Sequence, residues 1–205
     1  GRHAALADVE DRLDELAAEL GTLGTDRLTL AWIDPPESAA DADVLVDRLV
    51  ECGRRARERG LVFGFHNHWG ELRALDDGRT FLDRLLEAPA ELVELELDLG
   101  WVWDAGADPE QRLARAAGRC PLVHVKDFAF ARQEGWVGFT YSGAPMGEGR
   151  LDYDALVRAV RPDERGINRI VEHWLPWQGD AEQTARAEAR WTRQTLEYLK
   201  EKDHG

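Results

Sequence analysis

Residues 61–69 read LVFGFHNHW, an apolar run that closes on two histidines one residue apart. A buried strand that stops at a reaction site has this form. Side chains alternate along a strand, so His66 and His68 share a face with Gly64, and Leu61, Phe63 and Phe65 share the other. Three later stretches end the same way. LVELELDLGW reaches Asp98, PLVHVKDF carries His124, Lys126 and Asp127, and INRIVEHW carries Glu172 and His173.

Between these runs lie helical patterns. Residues 4–20 place Leu6, Val9, Leu13, Leu16, Ala17 and Leu20 on one face, with Gly21 suited to the C-cap. Residues 27–33 form a short strand closed by Asp34-Pro35-Pro36, and a helix over 41–60 turns Val44, Leu45, Leu49, Cys52 and Ala56 inward. Further helices are expected over 79–86, from Asp108-Pro109 to about 118, over 152–160 and over 181–202. Residues 129–150, rich in glycine and aromatics, read as a long loop of the kind that often forms a lid. Regular alternation of helices with apolar strands implies a parallel sheet covered by helices. An open doubly wound sheet and a (β/α) barrel both fit, and both place the site at the C-terminal strand ends, where the polar residues fall. No GxGxxG or GxxxxGK[ST] follows a strand, which weighs against a nucleotide fold.

A chain of 205 residues suffices for one domain with a full core, here residues 1–205. The net charge of −14 argues against a nucleic-acid partner, whose phosphates it would repel. No apolar run approaches a membrane span, so no membrane partner is expected. The charged, helical start is no signal peptide. It lacks an initiator Met, as a piece of a longer protein would. Cys52 and Cys120 offer no disulfide framework and no metal spacing, and they read as packing residues in a reducing, cytoplasmic setting.

One histidine at a strand end is usually a hydrogen-bonded structural residue, and one aspartate there is often the cap of the next turn. Asp98, His124 and Glu172 on three successive strands, with His66 or His68 on the strand before, form a mixed His and carboxylate set suited to one divalent cation: Mn²⁺, Co²⁺, Zn²⁺ or Mg²⁺. Glu94 and Glu96 share the face of Asp98 and need partners if buried. Lys126, on the face of His124, could serve as one, or could hold a substrate oxygen and stabilise an enolate. Trp69, Trp101, Trp103, Trp136, Trp174 and Trp177 lie at or just past strand ends, where an indole can stack on a sugar ring, though aromatics line most pockets.

HNHWGEL at 66–72, ELDLGWVWDAGADP at 96–109, LVHVKDF at 122–128, MGEGRLDYDAL at 146–156 and IVEHW at 170–174 together resemble the sugar phosphate isomerase/epimerase superfamily. This is the xylose isomerase-like TIM barrel group, which includes inosose dehydratases, tagatose 3-epimerases and endonuclease IV. The order and spacing agree along nearly the whole chain. The resemblance implies a metal-dependent sugar isomerase or epimerase that works through an enediolate, with a dehydratase or lyase as the alternative outcome of the same intermediate. The substrate would be a small keto-sugar, sugar phosphate or cyclitol. It implies Asp98, His124 and Glu172 as metal ligands, Glu172 also as the base, and Lys126 as a catalytic partner. The family's fourth ligand is a glutamate at the end of the strand that here finishes in HNH; His66 takes its place. His68 and Glu71, with Trp101 and Trp174, are then left for substrate contact.

The family barrel has eight strands, and about five are legible here. The first helix resembles the third of the barrel, so the first strands are expected to be absent and the barrel incomplete. A homo-oligomer, or another chain completing the barrel, is expected to cover the edge. A non-catalytic remnant is the rival of another class. A nuclease like endonuclease IV is disfavoured by the acidic balance.

Overall fold

In the computed structural model, residues 1–116, 118–131, 140–152, 168–173, 175 and 177–203 are described. The LVFGFH run forms strand β3 (Val62–His66), and its neighbours are parallel strands. The chain divides into two compact units, Gly1–Leu122 and Val123–Gly205.

The first unit holds β1 (Arg2–Ala5), β2 (Arg27–Trp32), β3 and β4 (Glu94–Asp98), side by side in chain order and all parallel. Register runs Leu28↔Phe63 and Phe65↔Leu95, so the apolar strand residues stack row on row. Strand β1 departs from the sequence reading, which starts a helix at residue 4. Four residues carry no periodic signal, and the pairing with β2 is what makes RHAA a strand. Two further strands in the second unit bring the count in the parallel sheet to six, one more than the reading counts.

The expected first helix is two, α1 (Leu6–Asp11) and α2 (Leu13–Leu23), broken at Arg12 (φ −128°, ψ 26°). Its C-cap is Gly24, not Gly21; Gly24 adopts the left-handed φ of 67°. Helix α3 (Ala39–Arg57) starts at Ser38, whose hydroxyl accepts the Asp41 N–H. Its inner face is Ala42, Leu49, Cys52, Gly53 and Ala56, whereas Val44, expected inside, is exposed. Gly53 has a steric cause: a Cβ there would meet the Leu92 carbonyl oxygen at 2.0 Å, so α3 rides directly on the segment entering β4. Helices α4 (Phe81–Leu85), α5 (Leu99–Asp104) and α6 (Pro109–Arg115) are short and side-chain capped, by Thr80, Asp98 and Asp108.

In the second unit β5 (Leu122–Val125) lies beside β8 (Asn168–Val171), and the Glu172 N–H donates to the Val125 carbonyl at 3.1 Å. The stretch read as one loop holds an antiparallel pair, β6 (Asp127–Ala131) and β7 (Thr140–Ala144), with Phe128 opposite Gly143. Each strand is only five residues long, and the glycine-rich chain around them reads as loop. Helix α7 (Ala181–Asp203) buries Ala187, Thr195 and Leu199. The helix expected over 152–160 falls almost wholly on residues outside the described ones, as do Trp136 and Trp174. No helix among the described residues is long and apolar enough to cross a membrane.

Candidate active site

In the first unit the strand ends of β3 and β4 carry the polar residues. His66 is buried, and its Nδ1–H donates to the Glu96 carbonyl at 3.2 Å. That bond leaves the lone pair of the neutral ring on Nε2, which faces Asp98 Oδ2 at 3.9 Å. Asp98 is fully buried, and its other oxygen caps α5 by accepting the Trp101 N–H at 2.9 Å. The cap thus takes one oxygen of Asp98 and the other is turned towards His66. Asn67 was passed over in the sequence reading, although a polar residue between two histidines in a buried run is itself a signal. Its side chain accepts the Asp98 N–H at 2.9 Å and donates to the Asp98 carbonyl at 3.4 Å, which locks the two strand ends together.

Glu96 is buried and paired: Thr29 Oγ1 donates at 3.0 Å and His3 Nε2 at 2.7 Å. Glu94 pairs with Arg27. His3 had no sequence signal, because β1 reads as helix. His68 lies on the side of His66, as alternation requires, with ring centroids 4.9 Å apart. Glu71 is buried, and its carboxylate accepts the His68 N–H at 2.9 Å. Burial raises the pKa of Glu71 against two backbone hydrogen bonds that lower it. Its visible task is to fix the loop that presents His68.

Beside His68 opens a cleft of about 350 Å³, lined by Trp32, Pro35, Trp69, Glu71 and Arg73 among others. Trp101, buried, packs behind it, 5.7 Å from the His68 ring and 5.3 Å from Trp69. Trp32 is a tryptophan that the strand-end reading missed; its position at the end of β2 was the available signal.

In the second unit His124 Nδ1–H donates to Glu172 Oε2 at 2.6 Å, and Lys126 Nζ forms an ion pair with Glu172 Oε1 at 2.9 Å. Burial alone would raise the Glu172 pKa; the bond from His124 and the Lys126 charge outweigh it and hold the carboxyl far below its ordinary range. His124 thus carries a proton on Nδ1 towards a carboxylate, the arrangement that orients an imidazole to offer Nε2. Next along the chain, Asp127 accepts five backbone N–H groups, from Phe128, Gly147, Gly149, Arg150 and Leu151. That cage holds the GEGR segment against β6.

The model of the xylose isomerase-like TIM barrel family matches residues 2–195. The chain belongs to this family. Over 91 residues it is 62% identical to a 3-oxo-isoapionate decarboxylase of Pectobacterium atrosepticum, a match covering 44% of this chain and 33% of that enzyme. A sugar phosphate isomerase/epimerase of Parabacteroides distasonis has a similar fold, with a TM-score of 0.69 and 18% identity, covering 95% of this chain and 66% of that one. So does a xylose isomerase-like TIM barrel protein of Mycobacterium smegmatis in complex with magnesium, with a TM-score of 0.57 and 17% identity, covering 95% of this chain and 67% of that one. The chain therefore spans about two thirds of the length of these barrels.

Within this xylose isomerase-like barrel fold, the sequence-derived residues fall into two groups. His66 and Asp98, with His68, Glu71 and Trp101 around them, come together in the first unit. His124, Lys126 and Glu172 come together in the second. The donor chemistry fits a divalent cation. Two buried acceptors, His66 Nε2 and Asp98 Oδ2, face each other at 3.9 Å, a spacing that one ion at about 2.0–2.2 Å from each could bridge.

Proposed function

We propose that the chain is a metal-dependent lyase that removes CO₂ from a 3-oxo sugar acid by way of an enediolate. The observation that carries this reading is the 62% identity over 91 residues to the 3-oxo-isoapionate decarboxylase. The donor set supports it, as does the Glu172–Lys126–His124 cluster.

His66, Asp98 and His124, with Glu172, would hold the cation. When bound, a divalent cation supplies the positive charge that polarises the ketone and stabilises the enediolate oxygens. In a 3-oxo acid the bond between the carboxylate carbon and the α carbon breaks. Its electron pair moves into the α carbon–ketone unit, CO₂ leaves, and a proton returns to the α carbon. Lys126, whose Nζ lies 2.9 Å from Glu172, is the group suited to donate to the developing enolate oxygen. Glu172 stays anionic, so it orients Lys126 and the His124 tautomer and does not serve as the acid.

A second reading, isomerisation or epimerisation of a keto-sugar, takes Glu172 as the base for a proton beside the carbonyl; the unprotonated carboxylate is available for this, while the hold of His124 and Lys126 on it makes it a weak base and favours the first reading. One assay separates them. The purified chain with Mn²⁺ is given a 3-oxo sugar acid in D₂O, and CO₂ release and deuterium uptake are followed together. CO₂ release that falls at least about a hundredfold in Glu172→Gln, with metal retained, is the expected result. Full activity in that variant sinks the role of Glu172. Deuterium uptake from a keto-sugar without CO₂ release replaces the lyase by the isomerase.

A further inference from the structure

We propose that Glu96 is the carboxylate that stands behind His66 and strengthens it as a metal ligand, and that His3 and Thr29 hold it in that place; all three are positioning residues. The inference rests on the metal reading above and adds how the first unit prepares its imidazole donor. In the parallel register His66 lies beside Glu96. Its Nδ1–H donates to the Glu96 carbonyl at 3.2 Å, and the same nitrogen lies 3.8 Å from the carboxylate oxygen Oε1 of Glu96. One residue thus sets a backbone dipole and an anion against the same N–H, while Nε2 is turned towards Asp98 Oδ2. A carbonyl or carboxylate behind a ligating histidine fixes its tautomer and makes the far nitrogen a better donor to a cation.

A carboxylate that is only 4% exposed needs donors. Two of them come from strands that do not adjoin its own. Thr29 on β2 donates to Oε2 at 3.0 Å, and His3 on β1 donates from Nε2 to Oε1 at 2.7 Å. Strand β3 runs between β2 and β4, and its residue in register with both Thr29 and Glu94 is Gly64. A Cβ at Gly64 would already lie 3.4 Å from Thr29 Oγ1, so glycine keeps open the space across which the hydroxyl reaches Glu96. The permanent cation on β2, Arg27, pairs with Glu94 instead. Thr29 and His3 between them fix both oxygens of Glu96, and so fix the one that faces His66. The His3 and His66 rings lie 5.4 Å apart, and each holds a nitrogen towards Oε1.

The test is equilibrium titration of the whole chain with Co²⁺, followed by its visible absorption, with circular dichroism of the metal-free protein as the folding control. Glu96→Gln keeps the shape of the side chain and removes its charge; it should weaken Co²⁺ at least about tenfold. His3→Leu removes one donor and should weaken it about fivefold. His3→Gln, whose amide can donate from the place of Nε2, should stay within about twofold of wild type. The His3 side chain is 43% exposed, so these two variants serve even where a change at buried Glu96 prevents folding. Equal affinity in wild type and folded Glu96→Gln, or His3→Gln as weak as His3→Leu, would overturn the proposal. So would complete loss of binding in folded Glu96→Gln, as expected for Asp98→Ala, because Glu96 would then be a ligand itself. A wild type that binds no Co²⁺ removes the metal reading and this inference with it; Co²⁺ bound alike by all the folded variants removes this inference alone.

Discussion

Replacing Asp127 by Asn keeps the shape of the side chain and removes half of what it does. Asp127 is 1% exposed. Its Oδ1 accepts from Phe128 at 2.8 Å, Arg150 at 2.9 Å and Leu151 at 3.2 Å, and its Oδ2 accepts from Gly147 at 3.1 Å and Gly149 at 3.0 Å. In the better of the two amide orientations the NH₂ takes the place of Oδ2, so at least two charge-assisted bonds become donor against donor. At about 1.5–3 kcal/mol for each such bond, the loss is about 3–6 kcal/mol, less what water recovers; about 4 kcal/mol is expected. In urea unfolding followed by circular dichroism that is a midpoint lower by about 2 M. Gly149→Ala should act on the same cage, because its Cβ would lie 2.1 Å from Asp127 Oδ1 and 2.6 Å from the Phe128 carbonyl oxygen. A D127N variant that unfolds within about 1 kcal/mol of wild type would refute the view that this carboxylate holds the GEGR segment.

Two further outcomes are expected. Mass spectrometry of the purified chain should find about one equivalent of divalent metal, lost in both Asp98→Ala and His124→Ala, since each removes a donor from the proposed set; metal retained in both would end the proposal for these ligands. For Asp83, burial raises the pKa, but the Thr80 bonds and Arg112 outweigh it and bring the group down to about 2. A lowered folded-state pKa contributes stability above the unfolded value of 3.8 and loses it as pH falls from there towards 2. Asp83→Asn should therefore cost about 2 kcal/mol at neutral pH and flatten the acid limb of the stability curve below pH 4; an unchanged slope between pH 4 and 2 would refute it.

Much of the fold was legible because its signals are local. Apolar runs of five to eight residues between amphipathic stretches announce buried parallel strands, and their polar last residues announce the site. Asp98, His124 and Glu172 could be named that way, with His66 or His68 on the strand before. The pairing of Lys126 with Glu172, 46 residues on, could not, nor that of Glu94 with Arg27 or of Glu96 with Thr29 and His3. Strand β1 and the β6–β7 pair were missed for a related reason. Four residues of RHAA are too few to show a period, and the five-residue stretches DFAFA and TYSGA, set in glycine-rich chain, become strands only against each other.

The sequence by itself determined which residues are apolar, in what period, and which chemical groups stand at the ends of the strands; those properties belong to each segment alone. Tertiary structure decided what those groups do. It gave Asp98 a cap and a facing imidazole, made Asn67 the clasp between two strands, enclosed Asp127 in five amides, and left Arg73 beside two half-exposed indoles. A hydrogen bond or an ion pair depends on ångström distances between residues far apart in the chain, and no period in the sequence encodes them.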